Sequence, residues 1–415
     1  MKRIFLFFLF YSFYLFGLSV VCYGQQASIE QRLSASSGSS LDKFGDSVAI
    51  SDDFAIIGAF GDNGSSESSG AAYIFKHDGS GWAQTQKLIA SDSAGLSKFG
   101  QSVAISGNFA IVGAYGYNGN GPYSGAAYIF HYNGTNWVEM KKITANDASS
   151  WNKFGQSVAI SGDTAIIGAC GDNDRGESAG AAYIFHFDGS NWSQSQKLST
   201  FDGTAWDQFG QSVAISGDYA VVGAYGDSDN GPLSGSAYIF YNNGNSWLQY
   251  QKLIANDGAP WDNFGRSVAI SANVAIVGAY KDDDKGKSSG SAYVFYNDGS
   301  NWLFEQKLTA SDGVISDFFG HSVSIYGDYA IVGAYGDDDN GILSGSAYIF
   351  SFDRNSWSRT DKLAANDAST YDYFGKPVAI YGDQALVGAY GNDVNGETSG
   401  STYLYRHFTI PFPEI

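Results

Sequence analysis

Cysteine is almost missing from this chain: Cys22 and Cys170 are the only two. Once a leader is removed, Cys170 stands alone, so no internal disulfide can form and stability must come from core packing. Cys170 is read as a small apolar core residue rather than a nucleophile. Basic residues are also scarce, 23 Lys and Arg against 42 Asp and Glu, giving a net charge of −19. Such a surface repels nucleic acid and anionic lipid heads, which excludes both as main partners. No segment carries a sustained helical period, and no histidine sits in a nucleophile or zinc motif. The sequence therefore gives no support to an enzyme.

One long hydrophobic run is present, at the N-terminus. Lys2 and Arg3 precede the nearly wholly apolar Ile4 to Val21, and Cys22-Tyr23-Gly24 supplies small residues at a cleavage site. We read residues 1–24 as a signal peptide, since polar, turn-rich sequence follows with no stop-transfer charge cluster. The expectation is a secreted or cell-surface monomer with no stable membrane insertion after cleavage. An uncleaved anchor is the competing reading, because the run is long enough to span.

What fills the rest of the chain is repetition. Phe-Gly recurs seven times, at Phe44, Phe99, Phe154, Phe209, Phe264, Phe319 and Phe374, always 55 residues apart. A fixed period of this length marks a repeat architecture. The sixth unit shows its grammar. Ser322 to Ile325 alternates as a strand, Tyr326-Gly327-Asp328 turns, and Tyr329 to Tyr335 is apolar on both faces. An Asp/Gly/Asn loop, a strand from Gly345 to Phe350, a turn and a strand from Trp357 to Ala364 follow. Four short antiparallel strands per unit predict an all-β fold, a seven-bladed propeller spanning residues 25–415. The first strand should line the axis, and Gly-Ala of the second should let neighbouring sheets approach closely. The seventh unit lacks a fourth strand, and Gln31 to Ala35 matches Gln86 to Ala90 one period later. The N-terminal strand is therefore expected to complete the last blade and close the ring, leaving no sheet edge at a chain end.

The paired Phe-Gly and Gly-Ala signals, as in Phe209-Gly210…Gly223-Ala224, resemble the FG-GAP repeat family, which includes the propeller head of integrin alpha subunits. The resemblance covers nearly all of the chain after residue 24 and implies an adhesion or scaffolding role by analogy; it does not fix a function. Some such propellers accompany hydrolases such as phospholipase D. Two departures matter. The proline expected after Gly-Ala is replaced by Phe60, Tyr115, Cys170, Tyr225, Tyr280, Tyr335 and Tyr390. The integrin-type calcium loop between the first two strands is reduced to a short turn such as Ser216-Gly217-Asp218, so its ligands have no counterparts here.

Charge is concentrated at one end of the expected ring. The second-to-third loops and the blade-to-blade loops should emerge together, and they hold 26 of the 42 acids against 7 Lys or Arg. Asp172 and Asp174, Asp227 and Asp229, Asp282 and Asp284, and Asp337 and Asp339 are dense oxygen donors followed by a glycine turn. Calcium takes six to eight oxygens from a flexible loop and is the one cofactor this pattern suggests. Asx turns facing water are the alternative. Trp151, Trp206, Trp261 and Tyr371 share one position in the blade-to-blade connection, with Tyr123 in a neighbouring loop. Exposed rings beside carboxylates suit protein or glycan ligands; otherwise they brace the rim between blades. A binding propeller is the primary expectation. The second is an extracellular hydrolase acting on a polysaccharide or phosphoester, with its active site on the rim.

Overall fold

The computed structural model describes residues 28–406 apart from 65, 93 and 94. The proposed signal peptide lies outside the described residues. The chain forms seven four-stranded antiparallel sheets, six of them joining strands that follow one another in sequence. Blade 4 is typical, with strands Ser212–Ser216, Tyr219–Ala224, Ser236–Asn242 and Trp247–Leu253. In the sixth unit the strands run Ser322–Tyr326, Tyr329–Ala334, Ser346–Phe352 and Trp357–Leu363, within two residues of the expected bounds.

Both signature dipeptides serve the joint between blades. A methyl group on Gly223 would lie 2.0 Å from the Gly265 carbonyl oxygen of the next blade, and that oxygen also accepts the Ser212 hydroxyl at 2.9 Å. Gly265 itself has φ +86, a backbone that favours glycine. The Phe264 ring is fully buried and packs edge-on against Tyr293 and Phe295 of its own blade. Its backbone, meanwhile, bridges to Gly235 of the blade before. Hence each Phe-Gly welds two sheets, and the core is shared between neighbours. One apolar cluster joins Ile166, Ile184 and Leu198 of blade 3 to Phe209, Val213, Val222 and Trp247 of blade 4.

The ring closes as expected. Ser28–Leu33 pairs antiparallel with Ser401–Arg406, giving a last sheet of one N-terminal and three C-terminal strands. Leu33 and Ala35 enter a core cluster with Phe44, Ile57 and Tyr73 of blade 1. A glutamine clasp recurs here as well. Gln196 holds the backbone of Trp247 through N–H to Oε1 (2.8 Å) and Nε2 to O (2.7 Å), and Gln31 holds Trp82 at 2.9 and 2.8 Å. The N-terminal strand is thus built as an ordinary fourth strand. The first strands line the axis around a cavity of about 260 Å³ walled by Val, Ala, Ile and one Ser.

Candidate binding face

The second-to-third loops and the blade-to-blade loops meet at one end, tied by backbone hydrogen bonds. Trp206 N donates to Glu177 O at 2.7 Å, Trp151 N to Pro122 O, Trp261 N to Pro232 O and Tyr371 N to Ile342 O, each at 2.8 Å. These four aromatics have φ between 68 and 78. Bulky residues rarely adopt that region, and here the neighbouring blade's loop holds them in it. Their rings do not wedge between blades: Trp151, Trp206, Trp261 and Tyr371 are 56, 52, 55 and 52 % exposed. Tyr123 stacks flat on Trp151, with centroids 4.8 Å apart and planes 9° apart. Phe201, Val314, Ile315 and Ile342 add exposed apolar surface to the same loops.

The Asp-rich loops have a different interior. In blade 4 the Lys252 ammonium donates to Asp202 (2.8 Å), Asp227 (2.9 Å) and Asp229 (2.6 Å). Tyr238 of the third strand brings its hydroxyl to 3.0 Å from Asp227. Lys197 clasps Asp147, Asp172 and Asp174 in the same way, Lys307 clasps Asp257, Asp282 and Asp284, and Lys362 clasps Asp312, Asp337 and Asp339. In the first three groups the carboxylate oxygens lie within 4.8 Å of one another, a spacing able to hold a metal ion. A lysine ammonium sits at the centre of each. Burial works against the charge on Lys252, but the hydrogen bonds it donates to Asp202, Asp229 and Asp227 outweigh it and hold the lysine above its usual pKa. Burial likewise opposes ionisation of Asp202, yet Lys252 holds that carboxyl below the usual range. Asp172, Asp227, Asp282 and Asp337 are buried; the later aspartates Asp174, Asp229, Asp284 and Asp339 are exposed. The Asx turns expected from sequence are present, Asp174, Asp229, Asp284 and Asp339 N each donating at 3.1 Å to the Oδ1 of the buried aspartate two residues before. That aspartate faces a lysine rather than water, however, and the metal-compatible spacing of the triads is filled by the ammonium.

Sequence reading missed the lysines. Each lies 25 residues after its buried aspartate, across two strands, and that constant interval was the available signal. Two blades depart from this pattern. In blade 2 Tyr117 replaces the aspartate, and Lys142 sits 3.4 Å over its ring while pairing with Asp92. In blade 7 Asn392 replaces it, and Arg32 of the N-terminal strand pairs with Asp367 in the lysine's place. A second set of buried acids supports the blade-to-blade loops. Asp262 accepts Ala259 N and Asp317 accepts Val314 N, at 2.7 and 2.8 Å. Burial, reinforced by neighbouring acids, pushes each carboxyl up to about 6.

A closed ring of seven four-stranded blades places the molecule among the β-propellers. Seven segments, 28–75, 82–130, 137–185, 192–240, 247–295, 302–350 and 357–405, match the FG-GAP repeat family, and the chain belongs to it. No curated protein matches the chain.

Proposed function

We propose that this is a secreted or cell-surface binding propeller that recognises a protein or glycan through its aromatic, acidic loop face. One observation carries the reading: Trp151, Trp206, Trp261 and Tyr371 hold their rings more than half exposed at one repeated, left-handed backbone position. Large exposed apolar groups rimmed by polar residues mark interaction sites. The apolar run before residue 24 supports export. The protein acts as a monomer, without nucleic acid and without turnover of its ligand. Hydrolysis of a polysaccharide or phosphoester is the weaker reading, because the two carboxyls raised to about 6 are buried and engaged by their own loops. Calcium has a narrow place here: it could enter the carboxylate triads only by displacing Lys197, Lys252 or Lys307.

An array of glycans and extracellular proteins, probed with the purified chain in calcium and in chelator, tests this reading. Binding without consumption of the bound partner, weakened at least about tenfold in W206A/W261A, is expected, since loss of one buried aromatic anchor costs about 2 kcal/mol. Release of cleaved product, or binding unchanged in that variant, contradicts it.

A further inference from the structure

At the loop face the propeller axis opens into a cavity of about 290 Å³. Its wall repeats the residue that follows each Phe-Gly. Blades 2, 3 and 4 supply Gln101, Gln156 and Gln211; blades 5, 6 and 7 supply Arg266, His321 and Lys376; blade 1 supplies Asp46. In a chain of net charge −19 this ring holds two fixed cations, Arg266 and Lys376, against one acid. Asp46, the only acid of the ring, is already engaged, 3.1 Å from the Lys376 ammonium and 2.8 Å from the Gln101 amide nitrogen. Lys43 and Lys98 stand just outside, their ammonium groups 4.8 and 4.7 Å from the centre of the Phe60 ring.

Three groups in this wall have donors and no acceptor. Among the described residues the Arg266 guanidinium has no ion pair or hydrogen bond, and neither do the side-chain amides of Gln156 and Gln211. A guanidinium with five donors rarely stays unpaired where a carboxylate is within reach, and Asp46, the one carboxylate of this wall, is spent on Lys376 and Gln101. His321 packs between Tyr280 and Tyr335, and its Nδ1 is buried without a partner. Burial first, then the charges of Arg266 and Lys376, hold this imidazole well below its usual pKa, so it stays neutral. The excess positive potential therefore belongs to the fixed charges at the mouth. A cation arriving here meets Arg266 and Lys376; an anion meets them as partners inside a recess whose walls focus the field.

We infer that the axial mouth binds one small oxyanion, a carboxylate or sulfate group, gripped by Arg266 and Lys376 and hydrogen-bonded by the neighbouring Gln211 and Gln156 amides. The site is distinct from the aromatic rim and does not depend on its ligand. The group could arrive as a free inorganic anion or as the acidic group of a sugar.

Isothermal titration of the full protein with sodium sulfate, sodium glucuronate and neutral glucose, in low-chloride buffer, separates these sources. Both anions are expected to bind once per chain and to compete, with glucose silent. Glucuronate tighter than sulfate assigns the site to an acidic sugar; equal or weaker glucuronate assigns it to a free oxyanion. Arg266→Gln installs the residue that blades 2, 3 and 4 carry at this position, so the fold has its own precedent for the change. It should weaken both anions about tenfold or more, the effect of losing a charge-assisted pair, while Arg266→Lys retains most of the affinity. Absence of saturable binding by either anion, or unchanged affinity in Arg266→Gln, overturns the inference.

Discussion

Lys252→Met isolates what the lysine clasp does. The substitution keeps an unbranched chain of similar length and removes the ammonium that Asp202, Asp227 and Asp229 share. Asp202 and Asp229 are 44 and 62 % exposed in their side chains, so water takes over their solvation and the loss is below about 1 kcal/mol. Asp227 is 4 % exposed and keeps only the Tyr238 hydroxyl and its local loop contacts. Removing one partner of a buried pair costs about 3–5 kcal/mol. We expect a loss of about 3 kcal/mol, near the lower end because Tyr238 remains, and hence a fall in Tm of about 4 °C for a domain of this size. The matched change in blade 2, Lys142→Met, removes one exposed pair and a contact with Tyr117, and should cost only about 1 kcal/mol. Calcium provides the second half of the test. With the ammonium gone, three carboxylates converge on one point, and calcium at ten times its Kd would restore about 1.4 kcal/mol. Differential scanning calorimetry in calcium and in chelator reads both effects. A Lys252→Met protein as stable as the parent, or no more responsive to calcium, would refute the reasoning.

Deleting residues 25–36 removes the strand that completes the last blade and exposes the edge at Ser401–Arg406. Loss of the cooperative melt, or aggregation by size-exclusion chromatography, is expected; an unchanged melt contradicts ring closure. Gly223→Ala places a methyl group 2.0 Å from a backbone oxygen and should cost about 3 kcal/mol or more in a chemical denaturation curve. Stability should also peak near about pH 5. Asp262 and Asp317 sit at about 6, above their unfolded value, so the native state takes up protons first and gains stability as pH falls from 7. The lysine-held Asp147, Asp202, Asp257 and Asp312 lie below their unfolded value, so their contribution is lost only as pH falls under about 4. D262N/D317N should flatten the slope between pH 5 and 7 in a thermal melt series; Asn152 already occupies this place before blade 3.

Much of the fold was legible because each blade states it again. Phe-Gly and Gly-Ala are visible since glycine is the only residue that tolerates the approach of Gly223 to Gly265, so the pair cannot drift in any unit. The N-terminal strand could be placed because Gln31 must clasp Trp82 as Gln196 clasps Trp247. The loop face was legible in outline only. Clustered aspartates were visible, but the cation that neutralises them comes from Lys252, two strands later, and only packing brings it to Asp227. Nor could sequence decide whether Trp206 wedges between blades or faces water, since both places accept a tryptophan. Its positive φ and its hydrogen bond to Glu177 are what turn the ring outward.

The central claim is that ligand recognition belongs to the loop face rather than to the opposite end of the ring. Two variants compared on one glycan and protein array test it most directly. W206A/W261A removes rings from the loop face, while Y296A/Y326A removes exposed rings at the far end, 41 and 39 % accessible. Binding lost in W206A/W261A and kept in Y296A/Y326A is the predicted result. Binding kept in the first and lost in the second would contradict it.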